Sequence, residues 1–192
     1  VLVINPTYFG FVADLKRIVD IVHARNIPVI VDEAHGVHIK FHDDLPLSAM
    51  QAGADMAATS THKLGGSMTG SSVLNVREGL VSAKRVQSVF SMLTTTSTSY
   101  PMLASIDTAR RQLAVNGQNL LEDAIRLAQD ARKRINSIPH LHCVGREKLG
   151  TSATYDMDPL KLLISVKDLG ITGHVAEEWL RVNANLEIEL SD

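Results

Sequence analysis

The chain has 192 residues, 45% of them hydrophobic and 21% charged, and a formal net charge of −2. This composition is ordinary for a soluble globular protein, and the near-zero charge favours neither nucleic acid nor a membrane surface as a partner. The single cysteine, Cys143, excludes an internal disulfide framework. No apolar run approaches the roughly 18 residues of a membrane-spanning helix. We therefore expect a cytoplasmic protein without a nucleic-acid or membrane partner.

The first part of the sequence predicts a strand, a helix and a second strand. Residues 1–4 are an apolar run that stops at Asn5-Pro6, because proline cannot pair within a central strand. Apolar residues then recur at helical spacing through Ala24. Pro28 begins a strand that ends at Asp32. This order predicts a right-handed crossover between two parallel strands.

The middle of the chain predicts short elements followed by helices. Glycine, proline and hydroxyl-bearing residues separate the segments, and apolar runs mark the strands. The predicted elements are a loop at 36–46, a helix at 47–53, strands at 56–59 and 71–76, a glycine-rich turn at 63–70, and helices at about 78–92, 101–114 and 118–138.

After Pro139 the pattern changes to short strands at 140–144, 160–166 and 186–190, with one helix near 173–182. This change predicts the beginning of a second subdomain of α+β type. The chain opens on a strand-like run without a methionine and stops after another such run. We therefore expect a fragment of a longer protein.

Two polar clusters follow the apolar runs of predicted strands. Asp32 ends the first run, and Ser60, His62 and Lys63 follow the second. In open α/β sheets, ligands bind outside the carboxyl ends of the strands, so the two clusters are expected to share one crevice. An acid, an amine, an imidazole and a hydroxyl together suit a cofactor that is phosphorylated, basic and carbonyl-bearing.

Five motifs in this order carry a resemblance to a known family: NPTYFG, DEAHGVHIKFH, LPLSAMQAGAD, STHKLGGSMTGSS and STSYPMLASIDTARR. They resemble the ornithine/lysine/arginine decarboxylases, which have the aspartate-aminotransferase fold, also called fold type I. The resemblance covers 1–117 in good order and the rest more weakly. It implies an α/β large domain with a mostly parallel sheet, pyridoxal 5'-phosphate as the cofactor, and decarboxylation of arginine, lysine or ornithine to the corresponding amine and carbon dioxide.

The resemblance also divides the chain. It implies that 1–117 is the C-terminal part of the cofactor-binding large domain, 118–138 a connecting helix, and 139–192 part of a small α+β subdomain. The phosphate-binding turn and the ring-stacking residue of the family precede Val1. One departure is Gly70, which stands where glutamine is expected in many relatives.

The resemblance assigns a role to each residue of the candidate site. Lys63 would form the Schiff base, Asp32 would hold the proton on the pyridine nitrogen, and Lys63 or His62 would return a proton to the substrate carbon. Ala34 would lie under the ring, with His35 near it. The implied cofactor contacts are Asn5 or Thr7 to the phenolic oxygen, Ser60 and His62 to the phosphate, and Thr96, Ser97 and Thr98 to the phosphate of a neighbouring subunit. The protein is accordingly expected to be a homodimer or a larger homo-oligomer.

Other functions remain open from the sequence. The same fold supports amino transfer and the acyl transfer of oxoamine synthases, and a scaffold protein could retain the fold without activity. VIVDEAH also resembles the hydrolysis motif of DEAH-box helicases, but the chain contains no G-x-x-x-x-G-K-[ST] loop. A zinc site at His35, His38 and His42 would need one helix face, and Gly36 and β-branched neighbours favour an extended chain. No metal site is expected.

Overall fold

The computed structural model describes residues 1–151 and 154–192. Its strands are β1 (Leu2–Ile4), β2 (Phe11–Val12), β3 (Ile30–Asp32), β4 (Met56–Thr59), β5 (Val73–Val76), β6 (His142–Cys143), β7 (Asp156–Met157) and β8 (Ile164–Ser165). Its helices are α1 (Leu15–His23), α2 (Ala49–Ala52), α3 (Thr61–Leu64), α4 (Ala83–Leu93), α5 (Tyr100–Asn136) and α6 (Gly173–Ala184). Short 3-10 turns span Ile39–Phe41, Arg146–Lys148 and Lys167–Leu169.

A four-stranded sheet in the order β1-β3-β4-β5 organises the first half of the chain. β1 and β3 are parallel, β3 and β4 are parallel, and only β5 runs antiparallel to its neighbour. Ile4, Asp32 and Ala58 lie side by side across the three parallel strands. The predicted α/β fold with a mostly parallel sheet is confirmed, and the parallel strands end at one edge.

The two faces of this sheet have different environments. Val31 and Ala57 point to one face and are completely buried with apolar residues of α1 and α2. The other face carries Leu2 and Ile4, which are 71% and 61% exposed. Asp32 follows Val31 and therefore belongs to the second face, since successive strand residues alternate between faces.

Local capping explains the short helix α2. The Ser48 hydroxyl accepts a hydrogen bond from the Gln51 amide, and the Gln51 side chain accepts one from the Ser48 amide. Gly53 ends the helix with φ of 97°, a conformation that glycine adopts without strain. The helix predicted at 47–53 is therefore present, with its ends set by these caps.

The two helices predicted at 101–114 and 118–138 are one continuous helix, α5, of 37 residues. Gly117 lies in the predicted gap between them. In the structure it is buried where α5 crosses the loop after β3, and an added Cβ would lie 3.2 Å from Cβ of Phe41. The glycine therefore serves close packing between two segments rather than a turn.

Two further predictions about local structure were wrong, and two short strands were missed. Lys63 lies in helix α3 instead of starting a glycine-rich turn, and 186–190 is not a strand. The strand β2, which pairs with β7, was not predicted. Both β2 and β7 have two residues, which is too short for an apolar pattern to be visible in the sequence. The division at 117 and 138 stays a prediction.

Candidate active site

Asp32 is fixed at the carboxyl end of β3 by backbone pairing on both sides. The Asn5 amide donates to the Asp32 carbonyl at 2.9 Å, and the Glu33 amide donates to the Ala58 carbonyl at 2.9 Å. The half-buried carboxylate accepts a hydrogen bond from the Ala34 amide through Oδ1 at 3.1 Å. The carboxylate is thus held at the strand end on the face that carries Leu2 and Ile4.

Lys63 and His35 meet across the two neighbouring strand ends. The Lys63 ammonium Nζ lies 3.0 Å from His35 Nε2. Burial lowers the pKa of His35, and the positive charges of Lys63 and Lys161 lower it further. His35 is therefore neutral at neutral pH, and its Nε2 accepts from Lys63 while Nδ1 carries the proton. Within the described residues, buried Nδ1 has no hydrogen-bond partner.

A second layer of side chains surrounds His35. The Tyr8 ring packs edge-on against it at 4.9 Å between centroids, and the Tyr8 hydroxyl donates to Glu189 Oε1 at 3.1 Å. Lys161 Nζ lies 5.7 Å from the centre of the Tyr8 ring. Sequence reasoning missed Tyr8, Lys161 and Glu189. Tyr8 lies in the NPTYFG motif, which could have pointed to it, but no local pattern links it to residues so distant in the chain.

His62 is oriented by the turn that follows α3. Its Nδ1 lies 2.7 Å from the Ser71 carbonyl oxygen, so Nδ1 donates and Nε2 remains for a ligand. Ser60 precedes α3, and its hydroxyl makes no capping hydrogen bond. An imidazole nitrogen and a hydroxyl are therefore presented at the end of β4.

Asn5 and Thr7 lie in the loop after β1. Asn5 is fully buried; its Oδ1 accepts from the Ala13 amide at 2.8 Å, while Nδ2 has no partner in the described part of the chain. The Thr7 hydroxyl oxygen accepts from the Phe11 amide at 3.0 Å. Both candidates therefore retain a donor, the Thr7 hydroxyl proton and the buried Asn5 amide beside the end of β3.

Thr96, Ser97 and Thr98 lie in an exposed stretch between α4 and α5. Among the described residues, no hydrogen bond joins them to Asp32 or Lys63. The structure of this single chain therefore does not bring these three hydroxyls into the cluster at the strand ends.

The three histidines of the DEAHGVHIKFH motif have separate partners. His38 Nε2 lies 3.0 Å from Asp158, and His42 Nε2 lies 2.9 Å from Glu122, whereas His35 contacts Lys63. Over 1–151 and 154–192, no cluster of three or more His, Cys, Asp or Glu side chains could hold a metal ion. In the same part of the chain, no helix combines the length and apolar character needed to cross a membrane.

The side chains at the strand ends fit pyridoxal phosphate chemically. An amine, a carboxylate and an imidazole are groups that engage its carbonyl, its pyridine nitrogen and its phosphate. Two donors without partners among the described residues, His35 Nδ1 and Asn5 Nδ2, belong to residues on either side of Asp32 and are available to hydrogen-bond a polar ligand. A buried donor without a partner is costly, which favours a bound group at this place.

Comparison with protein families decides the relationship. The model of the Orn/Lys/Arg decarboxylase major domain matches residues 1–192. The chain belongs to the Orn/Lys/Arg decarboxylase family. This membership agrees with the resemblance carried by the five sequence motifs, and the helicase reading is not supported.

Two curated relatives of this family are similar over the whole chain. An arginine decarboxylase from Bacillus cereus is 68% identical over 191 residues, and one from Halalkalibacterium halodurans is 69% identical over 191 residues. Each comparison covers 100% of this chain, but only 42% and 39% of the respective relative. The chain thus spans about two fifths of the length of these relatives.

Solved structures show the same fold. The lysine decarboxylase of Francisella novicida superposes with a TM-score of 0.77 at 22% identity, over 99% of this chain and 32% of that chain. A ureidoglycine-glyoxylate aminotransferase from Bacillus subtilis superposes with a TM-score of 0.68 at 16% identity, over 99% and 50%. At these identities the likeness concerns the fold alone, which decarboxylases and aminotransferases share.

Proposed function

We propose that the full-length protein is a pyridoxal-phosphate-dependent decarboxylase of a basic amino acid. The observation that carries the proposal is the contact of 3.0 Å between Lys63 and neutral His35, beside the carboxylate of Asp32 at adjacent strand ends. Arginine is the first substrate to test, because relatives at 68% and 69% identity are named arginine decarboxylases. Lysine and ornithine are the alternatives within the family.

The site must first control the protonation of the Lys63 amine. A lysine amine attacks a carbonyl only when it is neutral, and its ordinary pKa of about 10.4 keeps it protonated. His35 Nε2 accepts a hydrogen bond from Lys63 and orients Nζ toward the side of the sheet on which Asp32 lies. After carbon dioxide leaves, Lys63 or His62 would return a proton to the substrate carbon.

Asp32 and His62 would hold the two charged ends of the cofactor. When bound, pyridoxal phosphate supplies a carbonyl for the substrate amine and a ring that accepts the electron pair left as carbon dioxide departs. Asp32 keeps a proton on the pyridine nitrogen by its negative charge. His62, with Nδ1 committed to the Ser71 carbonyl, offers a charged Nε2–H donor to the phosphate when protonated, and Ser60 adds a hydroxyl donor. Ala34 leaves room under the ring.

We further propose a homodimer or larger homo-oligomer in which Thr96, Ser97 and Thr98 reach the phosphate of the neighbouring subunit. Large exposed side chains flank this stretch, with Met92, Leu93 and Tyr100 each more than 70% exposed. Large apolar side chains exposed close together in the sequence are consistent with a protein interface. Dilution of the full-length protein should accordingly release cofactor as subunits separate, which analytical ultracentrifugation with absorbance detection measures.

The experiment that tests the proposed function uses the full-length protein with pyridoxal phosphate. Borohydride reduction followed by peptide mapping should place the label on Lys63, and Lys63→Ala should abolish both labelling and carbon dioxide release. Lys84→Ala, an exposed lysine of α4, is the control and should behave like wild type. Label on Lys40 or Lys84 would end the assignment. Transfer of an amino group to an oxoacid without carbon dioxide release would establish an aminotransferase instead.

A further inference from the structure

Glu33 is a buried carboxyl directly behind the candidate site. It follows Asp32 but lies on the opposite side of the sheet, where it is only 4% exposed. Its Oε1 accepts a hydrogen bond from the Ala49 amide at 2.6 Å, at the start of α2. None of the roles proposed so far uses this group. A carboxyl is costly to bury unless its partners compensate the lost hydration, so its surroundings are informative.

The second partner of Glu33 lies at the end of β4. Thr59 follows Ala58, whose carbonyl accepts from the Glu33 amide at 2.9 Å, and its side chain lines the same cavity as Glu33, where the hydroxyl donates toward the carboxyl. Thr59 Oγ1 itself accepts from Asn75 Nδ2 at 3.3 Å, which leaves the hydroxyl proton for Glu33. Glu33 therefore connects the backbone of α2 with the β4 and β5 strands.

These contacts join the two segments that carry the site. Glu33 lies between Asp32 and His35 in the chain, while Thr59 directly precedes the Ser60 to Lys63 segment. Gly36 allows the first segment to fold tightly over Glu33, since an added Cβ would lie 2.6 Å from Glu33 Cγ. A shift of the Glu33 carboxyl would thus be transmitted to both strand ends, and with them to the contact between His35 and Lys63.

The pKa of Glu33 lies close to neutral pH. Burial raises its pKa from 4.5 to about 7, although the Ala49 amide, the Thr59 hydroxyl and the charge of Lys40 oppose the change. Arg110 of α5 lines the same cavity of about 280 Å³, but its guanidinium is paired with Asp107 at 2.7 Å. The ionised carboxyl accepts from Ala49 and Thr59, whereas the neutral acid can donate its own proton to one of its neighbours.

We propose that Glu33 is a positioning residue, whose carboxyl holds the segment of Asp32 and His35 at a fixed distance from the helix that carries Lys63. The inference rests on the proposed function for its activity readout. Ionisation of Glu33 changes the direction or number of these hydrogen bonds and so adjusts the proton transfer at Lys63 without contact between Glu33 and substrate.

The test compares Glu33→Gln and Glu33→Ala in the full-length protein with pyridoxal phosphate. Glutamine keeps an acceptor for Ala49 and cannot ionise, so kcat should remain within about twofold of wild type while any inflection near pH 7 disappears from its pH profile. Alanine removes both hydrogen bonds and should lower kcat about tenfold with KM nearly unchanged. Asp43→Asn, at an exposed carboxylate in the loop before α2, is the control and should leave all profiles unchanged.

Hydrogen exchange provides a readout that does not depend on activity. In Glu33→Ala, the backbone amides of peptides covering 44–54 and 58–64 should both exchange faster than in wild type. In Glu33→Gln, both peptides should exchange as slowly as in wild type. A wild-type pH profile in Glu33→Gln, or an unchanged kcat in folded Glu33→Ala, would overturn the positioning role. Failure of the proposed function is recognised separately, by the absence of borohydride label on Lys63. Hydrogen exchange then still decides whether Glu33 couples the two segments.

Discussion

Asp32 and Glu33 are neighbours with the same functional group and opposite surroundings. Asp32 lies on the sheet face with exposed Leu2 and Ile4, and its described hydrogen bond is a local one to the Ala34 amide. Glu33 is buried against α2 and bonds a residue 16 positions away. One step along a strand therefore separates a carboxylate available to a ligand from one committed to the fold.

The largest difference between the two carboxyls should appear in catalysis. Asp32→Asn in the full-length protein should retain bound cofactor but lose about 10³-fold in turnover, because the amide cannot hold the pyridine proton electrostatically. Glu33→Gln should lose no more than about twofold. Steady-state carbon dioxide release and the absorbance of bound cofactor measure the two effects. Near-normal turnover in Asp32→Asn would remove the distinction.

The next difference concerns stability and pH. The pKa of Glu33 is raised to about 7 by burial, so the folded protein binds a proton that the unfolded chain releases above about pH 4.5. Stability from this group is present below pH 4.5 and is lost as pH rises through 7, up to ~3 kcal/mol. Urea unfolding between pH 5 and 8 should show this decline in wild type. A matching decline in Glu33→Gln would assign it to another group.

Gly36 tests how closely the first segment follows Glu33. A Cβ at this position would lie 2.6 Å from Glu33 Cγ and 3.0 Å from Pro6 Cδ. Gly36→Ala should therefore destabilise the protein by about 2 kcal/mol through overpacking. Gly66→Ala is the comparison variant. An added methyl group meets no atom within 4 Å there, so any destabilisation comes from the φ of +83°, which alanine adopts with strain. Equal stability of Gly36→Ala and wild type would show that Glu33 can move freely.

The smallest effect is expected at the helix start that Glu33 contacts. Ser48→Ala removes the hydroxyl that caps α2 and should cost about 1 kcal/mol of unfolding free energy. Ser48→Gly should cost only a few tenths of a kcal/mol, since glycine is tolerated at helix N-caps, whereas an aspartate would bury a charge beside Glu33. If Ser48→Ala lowers kcat as much as Glu33→Ala does, the cap rather than the carboxyl positions the strand ends.

The sequence was informative where a local pattern determines structure. Apolar runs that end at Asp32 and Thr59 predicted the parallel strands, and their positions predicted that Asp32 and Lys63 lie at one edge. Strand alternation places Glu33 on the side opposite Asp32, and the structure buries it there. Its partner Ala49 could not be predicted, because the contact depends on how α2 packs on the sheet.

Long-range contacts account for most of what was missed. Tyr8 and Glu189 are 181 positions apart, and no periodicity relates them. Gly117 lies between the two helices predicted at 101–114 and 118–138, yet the structure places it inside α5 against Phe41, a residue far away in the sequence. Residues 186–190 have the composition of a strand, but composition does not provide a neighbouring strand with which to pair.

The buried pair between His38 and Asp158 bears on how the protein is made. The two side chains are 2% and 1% exposed and 120 positions apart, so the loop after β3 lacks this partner until residue 158 has been synthesised. At about 5–20 residues per second, a ribosome needs roughly 6–24 s for that interval. The nascent chain can complete the four-stranded sheet earlier, but the loop that carries His38 must wait for Asp158. Slowing translation between codons 38 and 158 should therefore prolong the exposure of the loop after β3 to proteases and chaperones.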